Sequence, residues 1–219
     1  MINLQIAREL ILAEKARAVA LGRSPDNWYF FHNHVYGSAA VAKAIAEHIG
    51  LDPQRAALSA LLHDIGKIRE SSERRFHGII GYEMLKDADA QIARAALVHT
   101  FPENQIGSYE KCADMFFGKR ADYDFLAGYL AAHPADDYDR LVQLTDGLAN
   151  AYGFVTLEQR AEEYARRRGV AVSDYLVSSV LELKKYFDNK LGGDIYGLFG
   201  QIDTKNLFLS VDKNLRFAG

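Results

Sequence analysis

The chain sets an imidazole beside a carboxylate, His63-Asp64, within the mostly apolar run Leu61-Leu62-His63-Asp64-Ile65-Gly66-Lys67-Ile68. Burial of such a pair is unfavourable unless something compensates, and buried carboxylates are paired, hydrogen-bonded or bound to metal. A histidine nitrogen with an aspartate oxygen suits Zn, Fe, Mn or Co better than Ca or Mg. His34, His77, His99 and Asp146 also stand in segments that are otherwise apolar or small, with no lysine or arginine spaced to neutralise them. Four imidazoles and two carboxylates make a metal-site composition.

The elements that must position these groups read as helices. Apolar residues recur at helical spacing over 3–21, and Ser24-Pro25-Asp26 is a start signal for a long helix over about 28–48 that carries His32 and His34. Asp52 and Pro53 open a third helix, 53–65, which delivers His63 and Asp64 at its C-terminal end. Residues 69–75 read as a loop, one helix begins near His77 and another spans 90–99. The irregular stretch 101–120 is expected to overhang the site as a lid. Helical patterns resume over 123–132, 135–151, 157–168 and 172–190, with a short turn at 194–199 and a tail, 206–211, ambiguous between a strand and a docking segment. The expectation is an all-α bundle of about eight to nine helices in one domain, 1–219, with its core at about 28–150 and accessory helices over 155–219.

Composition narrows the class. In 219 residues with a net charge of −3, no general basic field recruits nucleic acid. Arg166-Arg167-Arg168 reads as a solvated face. One cysteine, Cys112, excludes an internal disulfide. No long apolar stretch suggests a signal peptide or membrane span, so a soluble cytoplasmic protein is expected.

The pattern His34, then His63-Asp64, then Asp146 resembles the HD superfamily of metal-dependent phosphohydrolases. The run from Ala56 to Lys67 is close to that family's hallmark segment, and His77-Gly78-Ile79-Ile80-Gly81-Tyr82-Glu83 is similar to the helix that supplies a further ligand in its two-metal members. The resemblance covers about 31–150. It implies one ion on His34, His63, Asp64 and Asp146, and a second on His77 and His99 with Asp64 as bridge; a mononuclear site on the first four residues is the alternative. It implies divalent transition metals (Fe, Mn, Co, Ni or Zn) and a small phosphorylated substrate, a nucleotide, cleaved by metal-activated water. Asp64 and Lys67 would then be catalytic, Lys67 stabilising phosphate charge. Lys119 and Arg120, in the expected lid, are candidates to bind phosphate, with solvated surface as the alternative.

The chain departs from two branches. Ile68 and Arg69 follow Lys67 where the guanosine polyphosphate hydrolases carry two acidic residues, and the Gly-Tyr-Pro segment of the cyclic-dinucleotide phosphodiesterases is absent. Two competing readings stand beside the hydrolase: a di-iron oxygenase on the same ligand set, and a non-catalytic nucleotide-binding module. His32 reads as a surface or supporting group, His48 as a partner of its helix dipole and His133 as structural. Tyr29, Phe30 and Phe31 read as core.

Overall fold

A computed structural model of the chain describes residues 1–169, 171–172 and 178–202. The tail 206–211 lies outside them. Nine α-helices of nine residues or more are present among the described residues, so the all-α expectation holds.

Helix α1, Leu4–Ala20, is capped by Asn3, whose side chain accepts from the amide of Ile6. Helix α2, Pro25–Ile49, begins before the expected position because Ser24 Oγ accepts from the amide of Asn27 and Pro25 occupies the first turn. Helix α3, Pro53–Leu62, starts on Asp52, which accepts from the amides of Gln54 and Arg55 at 2.9 and 3.1 Å. After Leu62 the α-helix gives way to successive i to i+3 turns, Ile65 N to Leu62 O, Lys67 N to Asp64 O and Arg69 N to Gly66 O. In that tighter winding residues three apart lie above one another, and Lys67 Nζ meets Glu70 Oε2, three residues on, at 2.8 Å.

Where a loop was expected at 69–75, a single helical turn, α4 (Glu70–Glu73), is closed by Arg74 in the left-handed region at φ 49°. Helices α5, His77–Leu85, and α6, Ala90–Val98, pack against one another, and α6 is capped by Asp89. A Cβ at Gly81 would meet Ala96 at 3.2 Å, so the glycine sets how closely the two helices approach. Gly66 is tighter still. A Cβ there would lie 2.2 Å from the carbonyl oxygen of His77 and 2.8 Å from the amide nitrogen of Gly81, so α5 rests directly on the backbone of the 63–69 turns.

The main core joins Val35, Val41 and Ile45 of α2 with Leu61 and Leu62 of α3, and with Leu141 and Leu144 of α9 (Asp137–Thr145). Its outer side is closed by Leu183 and Phe187 of the C-terminal helix Ser178–Leu191. From α1, Glu14 is buried at 1% exposure and accepts from Arg69 Nε and Nη2 at 3.0 and 2.6 Å, tethering the first helix to the end of the 63–69 turns.

The segment 101–120 is not an open lid. Phe101 and Phe116 are buried in a second cluster with Phe76, Ile79, Leu97 and Leu126, and the stretch holds a short turn, Pro102–Asn104, and a helical turn, α7 (Tyr109–Cys112). Two buried rings, each worth roughly 1.5–3 kcal/mol of transfer free energy, pin it down. Helix α8, Arg120–Ala132, completes that cluster through Leu126 and Leu130. The expected helix 135–151 stops at Thr145; a tight turn, Asp146–Leu148, leads into the hairpin β1 (Ala149–Asn150) and β2 (Gly153–Phe154), turned by Asn150, whose side chain accepts from the amides of Tyr152 and Gly153. Helix α10, Leu157–Arg168, has the expected bounds. No helix among the described residues is long and apolar enough to cross a membrane.

Candidate metal centre

Each of the four imidazoles has Nδ1 anchored. In His34 it lies 3.0 Å from the carbonyl of Ala149 on β1. His63 and His99 occupy the C-caps of α3 and α6 and turn Nδ1 back onto the carbonyls of Ala60 and Ala96, at 2.6 and 2.9 Å. These acceptors are among the carbonyls that a helix end leaves unsatisfied. His77, first residue of α5, sets Nδ1 2.6 Å from Glu70 Oε1. Carbonyls and carboxylates only accept, so in the neutral rings of His34, His63 and His99 Nδ1 carries the proton and Nε2 keeps its lone pair, and Glu70 favours the same form of His77.

Those lone pairs converge. His34 and His63 bring their Nε2 atoms to 3.2 Å, and so do His77 and His99. Asp64 lies between the two pairs: Oδ1 is 3.1 Å from His77 and 3.5 Å from His99, while Oδ2 is 4.0 Å from His34 and 3.9 Å from His63. Asp146 Oδ1 is 3.1 Å from His34 and 3.6 Å from His63. Three overlapping sets, His34-His63-Asp64, His63-His99-Asp146 and Asp64-His77-His99, have ligand atoms within 4.8 Å of one another. Neighbouring ligands on bonds of about 2.1 Å stand roughly 3.0–3.5 Å apart, and the shorter of these separations are of that size, so the groups could hold a metal ion. Apart from the Thr100 hydroxyl, 3.1 Å from His99 Nε2, the inward-facing groups are carboxylate oxygens and imidazole nitrogens, a set that could hold a cation.

Without a cation, protons do part of that work. Burial opposes charge on His63, but the hydrogen bond to Asp146 and the charges of Asp64 and Asp146 outweigh it and raise its pKa to about 9. His77 is also raised, by Asp64 and Glu70 against burial, whereas burial and the neighbouring imidazoles lower His99. Asp64 and Asp146 are held well below the carboxylate range, burial being overcome by the histidines around each.

A folded-state pKa above the unfolded value gives stability that is complete below about 6.5 and lost as pH rises through the folded value. For His63 the window closes near 9. Cation binding requires the same rings neutral, so its stabilisation grows with pH. Melting temperatures between pH 6.5 and 9 are therefore expected to fall for chelator-treated protein, while the increment on adding Zn or Mn rises. A metal increment that shrinks with pH would exclude these rings as ligands.

Residues 31–151 match the family model described as HD domain. The chain belongs to the HD domain family. The HD segment encloses all six converging residues, and metal-dependent hydrolysis is that family's predominant chemistry. No curated protein and no solved structure matches the chain.

Other expected residues fall differently around the HD centre. Lys67 reaches it from the side, Nζ 3.3 Å from His77 Nδ1 and 2.8 Å from Glu70 Oε2. Lys119 donates to the carbonyl of Glu73, and Arg120 pairs with Asp124 and lies over Tyr109 and Tyr123, so the contacts of both are with surface groups. His32 is not a surface group: it is buried, its ring 4.3 Å from that of Tyr36 and 5.9 Å from that of Trp28. Phe31 is core, whereas Tyr29 and Phe30 are 42% exposed. His48 and His133 each turn Nδ1 onto the carbonyl of the preceding helical turn. Glu70 was not singled out from sequence. Its only signal is its place three residues after Lys67, in a polar stretch that reads as a loop.

Proposed function

We propose that the protein is a cytoplasmic phosphohydrolase that uses two divalent transition cations to cleave a phosphoester of a small phosphorylated molecule, of the nucleotide class. The observation that carries this reading is Asp64, one oxygen turned to each imidazole pair. His34, His63, Asp64 and Asp146 would hold one cation, and Asp64, His77 and His99 the other. Bound there, such cations supply Lewis acidity and lower the pKa of a water towards neutrality.

The chain's own groups do the rest. Backbone anchors on His34, His63 and His99 hold their Nε2 atoms in place before substrate arrives, so no reorganisation is needed at the moment of reaction. Asp146, with a third of its side chain exposed, marks the open side of a cluster whose His63 is wholly enclosed. Lys67, 43% exposed, has an ammonium able to leave Glu70 for a phosphoryl oxygen. Support for a nucleotide comes from the exposed ring of Phe30, one helical turn before His34, which meets the exposed ring of Tyr152 at 6.0 Å; such rings offer stacking faces to a base.

The test is elemental analysis of protein purified without chelator, beside a phosphatase screen with added Mn, Co, Ni and Fe. About two equivalents of metal and turnover of a nucleoside phosphate are expected. Two equivalents of iron with oxygen uptake and no hydrolysis would replace the hydrolase by an oxygenase. Bound metal with no turnover of any kind would leave a binding module.

A further inference from the structure

Three of the four imidazoles are held by backbone carbonyls, and His77 by a side chain. Glu70 Oε1 lies 2.6 Å from Nδ1 of His77 and 3.4 Å from its backbone amide. Its other oxygen meets Lys67 Nζ at 2.8 Å, and that same ammonium stands 3.3 Å from His77 Nδ1. An ammonium only donates and a carboxylate only accepts, so these two neighbours demand opposite states of one nitrogen.

With Glu70 as partner, Nδ1 keeps its proton and the Nε2 lone pair points at the Asp64 side of the cluster. With Lys67 donating to Nδ1, the neutral ring carries its proton on Nε2, 3.1 Å from Asp64 Oδ1, and cannot ligate. The shift moves one proton between two nitrogens of one ring, with no net gain or loss. Among the described residues no ammonium stands at Nδ1 of His34, His63 or His99, whose partners there are backbone carbonyls.

We propose that Glu70 is a positioning residue for the second cation: it fixes His77 in the Nδ1–H form against the competing ammonium of Lys67, so the two cation subsites are unequal and the His77 subsite fills last. This inference rests on the two-cation reading above and says which residue decides occupancy of the second subsite. Lys67 opposes ligation until it is drawn elsewhere. The turn that carries both residues is braced by the buried Glu14–Arg69 pair, so neither side chain can simply swing clear with its backbone.

The experiment is Zn titration against a chelating dye for wild type, Glu70→Gln and Lys67→Met, with 15N spectra of the histidine side chains in the Zn-loaded proteins. Loss of a group that orients a metal-bound histidine typically costs about tenfold to a hundredfold in affinity. Glu70→Gln is therefore expected to weaken the second Zn by that factor and leave the first within about threefold, while Lys67→Met tightens the second. In the spectra, wild type should show one Nδ1–H displaced by its carboxylate partner from the other three, and Glu70→Gln should move that signal alone. Equal weakening of both ions, an unaltered second ion in Glu70→Gln, or weakening in Lys67→Met would each overturn the proposal. A wild type that takes up one Zn only would overturn the two-cation reading together with it, whereas two Zn sites indifferent to Glu70→Gln would remove this inference and leave that reading standing.

Discussion

Asp64→Asn is expected to abolish turnover, by about a thousandfold or more, and to strip both cations rather than one. The two oxygens of Asp64 face different imidazole pairs, Oδ1 towards His77 and His99 and Oδ2 towards His34 and His63. An amide there removes the charge and turns an N–H group on one side. Losing several kcal/mol of charge stabilisation, at about 1.4 kcal/mol per tenfold, gives the thousandfold figure. His77→Ala serves as the contrast, because it should lose one equivalent of metal and keep the other. Elemental analysis of the two variants, with circular dichroism to establish that each is folded, decides the matter. An Asp64→Asn protein that still holds two equivalents would remove Asp64 from its bridging place.

Gly66→Ala is expected to cost about 3 kcal/mol or more. The added methyl would meet the His77 carbonyl oxygen at 2.2 Å, the Gly81 nitrogen at 2.8 Å and Ile80 Cβ at 3.0 Å, and the two nearest of these are backbone atoms that no rotamer change can move. Overpacking usually costs about 1–3 kcal/mol, and this site lies at the severe end. At roughly 2–4 °C per kcal/mol for a chain of this size, the melting temperature should fall by about 6–12 °C. Because the atom struck belongs to His77, metal uptake at the His77 and His99 end should suffer before uptake at His34 and His63. A melting temperature within about 2 °C of wild type would show that α5 yields without strain.

The convergence of His34, His63, Asp64, His77, His99 and Asp146 was legible because each is an ionisable group in an apolar setting, and because caps such as Asp52 and Asp89 mark where their helices begin. Several surroundings were not legible. Glu70 matters through a one-turn helix closed by Arg74 at positive φ, a local reversal with no strong sequence signature. The hairpin that carries Ala149 has two residues per strand, too few for an alternating pattern. The 101–120 segment contains glycine and proline at loop spacing, and its order comes from Phe101 and Phe116 finding Phe76 across the fold. His32, in turn, is buried by Trp28 and Tyr36, aromatic neighbours on the same helix.

The Glu14–Arg69 pair separates what this protein inherits from what it needs in order to stand. The family segment opens at residue 31, yet the counter-charge for Arg69, inside that segment, comes from a helix wholly upstream of it. At the other end, Asp137 is engaged by Tyr186 and Lys190, both downstream of the segment. A fragment trimmed to 31–151 would carry all six converging groups, but Arg69 would lose Glu14 and keep only Glu73 nearby, and Asp137 would lose Tyr186 and Lys190 and keep only Arg140. The six groups that converge thus come from a shorter stretch than the contacts that brace them, and a transplant of this centre would keep more of its bracing if Glu14 and the Tyr186–Lys190 turn came along.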